Sequence, residues 1–285
     1  HRSESRNAPS RVWAVKITGS ASGHYWSGDL DNPFARFGVE HLSATSMNQF
    51  RADPALGILY LVYNIREEGS PAMHRGTAVD ETIGEMLAGG QSLDADSIRT
   101  LATDKYDTFI SQTDEVYPEE AIRRERAVVI GCMEQCCRVM GEWESPLSYQ
   151  QSIRLSLQDI EIPVVGYIDL RYPEEVRELK TSGKRRRAII DDHAFQVSTY
   201  AMAIRQETGR WPRAVIDYIC PTGMESIQLK NGKRWVREVV ETAGRIRALL
   251  AAASSEAELC RSVRPNFSHW LWNYRPKARA AAQEL

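Results

Sequence analysis

Asp169, Glu178 and Lys180 are the residues whose types and spacing point most directly to chemistry. They lie in residues 164–180, where two stretches of alternating character flank the turn Pro173, Glu174 and Glu175. Side chains alternate along a strand, so Glu178 and Lys180 share one face and Leu179 takes the other. In the first strand, positions 165, 167 and 169 share a face, and a tight turn lets Asp169 converge with Glu178 and Lys180. Two carboxylates held together repel each other, but with a hard divalent cation they become oxygen ligands. The Leu179 backbone carbonyl between them is available as another. An ammonium beside such a cation can orient or deprotonate a water for attack on phosphorus. The plainer alternative is an ordinary hairpin with an exposed Glu–Lys pair.

The elements that must position these residues follow from periodicity. From Ser46, Met47, Phe50, Ala55, Ile58, Leu59, Leu61 and Val62 recur at helical spacing, with a break or kink at Pro54. Further helices are expected at 74–87, ended by Gly89 and Gly90, at 94–112, and at 119–143 after Pro118. Beyond Pro146 the period falls to 2, which predicts strands at 148–157, 162–172 and 176–181. A helix at 191–208, a strand at 214–220, a turn at Asn231 and Gly232 and a helix at 235–252 follow. The aromatic tail Phe267, Trp270, Trp272 and Tyr274 could be a packed strand or a base-stacking surface. The order predicts an α/β fold, a mixed β-sheet flanked by helices with a helical N-terminal part. Residues 1–41 are expected to form an arm with one strand at 12–17, and 42–285 a single domain.

Gly166, Tyr167, Ile168 and Asp169, followed nine residues after Asp169 by Glu178, Leu179, Lys180 and Thr181, resemble the core of the PD-(D/E)XK nucleases. The flavour is that of the RecB-type and phage lambda-type exonucleases. Leu42 to Ser46 is similar to that family's N-terminal serine motif, Gly76 with Asp80 to its Gly-x-x-x-(His or acid) motif, and Gln196 with Tyr200 to its Gln-x-x-x-Tyr helix. The resemblance spans roughly residues 42–221. It implies a restriction-endonuclease-like core and a metal-dependent DNA exonuclease of phage, prophage or bacterial recombination and repair. A structure-specific or nicking endonuclease, or a non-catalytic DNA-binding protein on the same fold, is the alternative.

By the same resemblance, Asp80, Asp169, Glu178 and the Leu179 carbonyl hold Mg2+ or Mn2+, Lys180 activates or positions a water, and Gln196 and Tyr200 contact DNA. Asp80 stands where many RecB-type members carry His. A third carboxylate there favours hard cations. Ser43 and Ser46 precede a helix, which suits either a cap or a phosphate. Arg36 looks like the arginine that lambda-type enzymes set against a terminal 5′ phosphate. Iron–sulfur members bracket the nuclease with one early and three late cysteines, a pattern missing here, so no iron–sulfur cluster is expected.

Composition bounds the partners. The 285-residue chain has 36 Lys and Arg against 38 Asp and Glu, a net charge of −2, so positive charge for a polyanion must be local. Residues 177–187 supply it: Arg177, Lys180, Lys184, Arg185, Arg186 and Arg187 against Glu178 alone. Lys184, Arg185 and Arg186 fall between the catalytic strand and the Gln196 helix, beside the path of a phosphate backbone; a solvated face is the alternative. Five cysteines in no CxxC pair are expected to be reduced, with Cys132 and Cys136 as small core residues rather than metal ligands. No apolar run approaches the roughly 20 residues of a membrane helix. The polar start is expected to carry no retained signal peptide. The expected partners are DNA ends, a recombination or single-strand-annealing protein and a second copy of the chain, in the cytoplasm of a bacterial or phage-infected cell.

Overall fold

A computed structural model describes residues 32–88 and 94–284. The expected 12–17 strand and the Gly89 and Gly90 helix stop lie outside these residues. Asn32 caps α1 (Pro33–Arg36), its Oδ1 accepting from the Phe34 and Ala35 N–H groups. β1 (Leu42–Ser43) leads into α2 (Ala44–Ala52) and α3 (Pro54–Leu61). The break falls at Pro54 because the extended Asp53 ends α2 and caps α3 through the Ala55 N–H.

Next come α4 (Pro71–Ala88), α5 (Ala95–Gln112) and α6 (Glu119–Val139), then a 3-10 turn at Met140–Glu142. Asp94, read as the first residue of α5, is its cap. β2 (Ser148–Leu155), β3 (Val164–Tyr172) and β4 (Glu175–Thr181) precede α7 (Asp191–Thr208), which Gly209 closes in the left-handed conformation at φ 76°. β5 (Arg213–Cys220), β6 (Gly223–Gln228), α8 (Gly232–Ala252), α9 (Glu256–Ser262), a 3-10 turn at Trp270–Tyr274 and α10 (Pro276–Glu284) complete the chain.

The fold is α/β. The sheet runs β1-β3-β4-β5-β6, with β2 along the other side of β3. β1–β3 and β4–β5 are parallel; the remaining pairs are antiparallel. One hydrophobic cluster joins Ile168, Val176, Ile216 and Tyr218 to α2, α3, α7 and α8. The other joins Leu170, Leu179 and Ile219 to α4, α5 and α6, and buries Cys132 and Cys136. Helices thus cover both faces, as the parallel β4–β5 pair requires.

Three expectations need correction, and one strand has no counterpart among them. Residues 32–41 are no free arm, since Phe34, Phe37 and Val39 are buried in the first cluster. β6, which is polar and half-exposed, carries too little alternation to read. The aromatic tail is a 3-10 turn, not a strand. Trp272 is fully buried there, donating Nε1–H to Asp53 Oδ2 at 2.9 Å, so it cannot stack on a base; Trp270 and Tyr274 stay exposed. The alternation in β3 also slips, because Ile168 and Leu170, two apart, pack in opposite clusters. Asp169 is therefore not simply on the face of residues 165 and 167.

Candidate active site

A gap in the sheet makes the site. β3 pairs with β1 only at Val164 and Val165, and with β4 only from Leu170 onward. Between those points residues 166–169 of β3 and 178–181 of β4 diverge. In the β4–β5 ladder, Arg213 N–H donates to Glu174 O and Ser182 N–H to Ile219 O. That phase gives β5 the backbone groups of even-numbered residues, so Leu179 turns its N–H and carbonyl toward the gap. The Leu179 N–H is used: Asp169 Oδ2 accepts it at 2.7 Å.

Asp80 and Glu178 are each held at one oxygen, and Asp169 at both. Asp80, on α4, accepts at Oδ2 from Tyr149 Oη at 3.0 Å and from Gln150 Nε2 at 2.8 Å. Asp169 Oδ1 accepts from the same Gln150 Nε2 at 3.1 Å. Glu178 Oε1 accepts from Lys180 Nζ at 2.6 Å. Two oxygens are left over. Asp80 Oδ1 and Glu178 Oε2 are buried and have no hydrogen-bond partner among the described residues. Gln196 and Asp169 lie against Glu178, yet neither completes a hydrogen bond of good geometry to Oε2.

The electrostatics follow from burial and crowding. Burial, with Glu178 nearby, pushes Asp80 up to about 6, against the hydrogen bonds from Tyr149 and Gln150. Burial raises Asp169 well above the usual carboxylate range, and Glu178 and Asp80 add to it. Burial also raises Glu178, although Lys180 opposes the shift. Burial alone would lower the Lys180 ammonium, but Glu178, Asp169 and Asp80 outweigh it and hold it above the ordinary lysine value. With all three carboxylates ionised, the one ammonium of Lys180 leaves the site with excess negative charge.

The donor set fits a hard divalent cation: three carboxylates, two with a buried bare oxygen, and a backbone carbonyl on the same side. Among the described residues no group of three or more His, Cys, Asp or Glu side chains is arranged to hold a metal ion.

The remaining expected residues separate into groups. Gln196 faces the site and donates Nε2–H to Tyr200 Oη at 2.9 Å. Tyr200 itself is buried, its ring lying on Gly166, where an added Cβ would sit 2.9 Å from Cε1. Tyr200 thus supports Gln196 and the strand. Lys184, Arg185 and Arg186 are exposed in the loop after β4. Arg185 pairs with Glu225, whereas Lys184 and Arg186 make no ion pair among the described residues. Arg177 leaves the basic group, because it pairs with the buried Asp217 and Glu175 and lies over the Trp143 ring.

The serine pocket is not as expected. Ser43 and Ser46 cap each other's backbone N–H in a capping box. Arg36 donates to the Ala253 carbonyl at 2.8 Å. It does not line the cavity of about 270 Å³ beside the serines, which instead contains His41, Asn64 and Arg66. Sequence reasoning also missed Tyr149 and Gln150. No spacing rule flags them, because they act from a strand whose residues read as ordinary alternation. The left-handed backbone of Gln150 appears only in three dimensions.

The chain matches no known family model and no curated protein by sequence. Among the described residues no helix is long and apolar enough to cross a membrane.

Proposed function

We propose that the protein is a metal-dependent deoxyribonuclease, acting as an exonuclease on DNA ends, of the PD-(D/E)XK kind that its motifs resemble. One observation carries the reading: Asp80 Oδ1 and Glu178 Oε2 are buried and bare beside an ammonium. Bare buried carboxylate oxygens are costly unless something positive meets them. A lone surface hairpin would leave these oxygens in water.

Asp80, Asp169, Glu178 and the Leu179 carbonyl are the residues that would hold Mg2+ or Mn2+. Bound there, the ion supplies positive charge to the scissile phosphate and acidifies a water. In the metal-free chain the surrounding carboxylates hold the Lys180 ammonium above the ordinary lysine value. As an ammonium it would donate hydrogen bonds to the developing negative charge and orient the water. Glu178 Oε1 fixes that ammonium, and Gln196, braced by Tyr200, borders the same space. The loop with Lys184 and Arg186 supplies the local positive charge that a net charge of −2 withholds elsewhere.

Digestion of end-labelled linear DNA and closed circular plasmid with Mg2+, Mn2+, Ca2+ or chelator tests this. Cation-dependent loss of linear DNA with circles intact is the expected result. Nicked or linearised circles would make it an endonuclease, and binding without cleavage a DNA-binding protein.

A further inference from the structure

Gln150 stands opposite Asp169 in the β2–β3 register, between the pairs Tyr149 with Leu170 and Gln151 with Ile168. The ladder skips this one position. Gln150 has φ 50°, a left-handed conformation that costs free energy for a residue bearing a Cβ. A surface strand has no reason to keep that strain. Here it turns the side chain inward, so that one Nε2 group donates to both Asp80 Oδ2 and Asp169 Oδ1, at 2.8 and 3.1 Å.

The two carboxylates come from different elements, α4 and β3, and Gln150 is the side chain that ties them. Asp80 Oδ2 is filled by the Gln150 amide and the Tyr149 hydroxyl, while Oδ1 is left bare. Donors on one oxygen fix the carboxylate plane and present the other, as the outer partners of metal ligands do.

We infer that Gln150 is a positioning residue of the cation site, clamping Asp80 to Asp169 so that Asp80 Oδ1 faces the ion. This rests on the cation reading above and adds to it a residue that no motif in the sequence marks. The clamp acts before any DNA arrives, so its signature is metal affinity.

The test is direct Mn2+ titration, read by the loss of the free-ion paramagnetic resonance signal, together with the unfolding midpoint in chelator. Gln150→Gly removes the amide and keeps a backbone that glycine adopts freely. Mn2+ affinity should fall about 10–100-fold while the midpoint in chelator holds or rises. Gln150→Asn tolerates the same backbone but stops one methylene short, and should also lose affinity. Wild-type affinity in both variants would overturn the clamp while leaving the cation site standing. So would a loss of affinity matched by a fall in the chelator midpoint, which marks a merely structural role. A wild-type chain that binds no Mn2+ would overturn the cation reading and the clamp together.

Discussion

Lys180 Nζ lies 2.6 Å from Glu178 Oε1, and the other oxygen of that carboxylate, Oε2, is buried without a partner. The lysine thus engages one oxygen of a carboxylate whose other oxygen is buried and bare. An ordinary strand-surface Glu–Lys pair contributes little and is hydrated on both oxygens.

Removal of the ammonium separates chemistry from binding. Lys180→Met keeps the aliphatic stem and the three carboxylates, so turnover should fall roughly 10²–10³-fold, the scale of one lost electrostatic donor. DNA affinity in Ca2+ should change little. Asp169→Asn should abolish cleavage and Mn2+ binding alike. A Lys180→Met enzyme cleaving within about twofold of wild type would falsify the catalytic assignment.

The acidic cluster also predicts an unusual pH dependence. Asp80 is pushed from 3.8 to about 6 in the folded chain, so between those values the native state binds more protons than the unfolded state. Stability in chelator from this group is present below about pH 4 and is lost as pH rises through 6. Asp169 and Glu178 are raised too and act in the same direction. The wild-type unfolding midpoint in chelator should rise on acidification from pH 7 to 5 relative to that of Asp80→Asn. Mg2+ needs the ionised carboxylates, so the midpoint gained on adding it should shrink over the same interval. Parallel pH profiles for the two proteins would remove Asp80 from the site.

Close approaches at two glycines support the carboxylates. A Cβ on Gly84 would run into the Tyr149 ring at Cζ, and one on Gly166 would lie 2.9 Å from Tyr200 Cε1. Gly84→Ala should displace the ring whose hydroxyl holds Asp80, costing about 1–3 kcal/mol by overpacking and weakening Mn2+ binding. Tyr149→Phe should weaken Mn2+ binding without overpacking. Thermal melts and Mn2+ titration of both variants check the pair; an unshifted Gly84→Ala melt would show that the helix yields instead.

The contrast with what the sequence offers is physical. Asp169, Glu178 and Lys180 could be placed together because strand alternation and a Pro-Glu-Glu turn fix their relation locally. α7 emerged with its full span, since Asp191 and Asp192 open it and Gly209 ends it. The slip in β3 was invisible because it depends on the left-handed Gln150 of another strand. Asp53 was equally hidden. It caps α3 and accepts from the Asn266 N–H at 2.8 Å and from Trp272 Nε1 at 2.9 Å, contacts that span more than two hundred residues.

The loop after β4 should carry part of the DNA affinity. Lys184 and Arg186 are exposed and pair with no carboxylate among the described residues, so replacing both by Ala should weaken binding and lower the salt slope by about 1–2. Arg185→Ala should matter less, because Glu225 already neutralises it. Glu225→Ala, which frees that arginine, should strengthen binding. Fluorescence anisotropy on a labelled duplex across several salt concentrations reads all three; an unchanged slope in the double variant would make the loop an ordinary solvated face.

End recognition is the last question the geometry sharpens. An arginine clamp on a 5′ phosphate needs a guanidinium free to fork onto the anion. Arg36 instead donates to the carbonyl of Ala253, the residue that ends α8. Arg36→Ala should therefore leave the relative rates on 5′-phosphorylated and 5′-hydroxyl ends unchanged. Arg66 shares the cavity beside Ser43 and Ser46, although its guanidinium lies over the Tyr60 ring and donates to the Tyr60 carbonyl. If the enzyme discriminates between ends, Arg66→Ala should reduce the preference and Arg36→Ala should not. Initial rates on the two substrates at low salt decide it. A preference erased by Arg36→Ala would mean that Arg36 leaves Ala253 when DNA binds, and would restore the lambda-type pocket that the unliganded fold does not form.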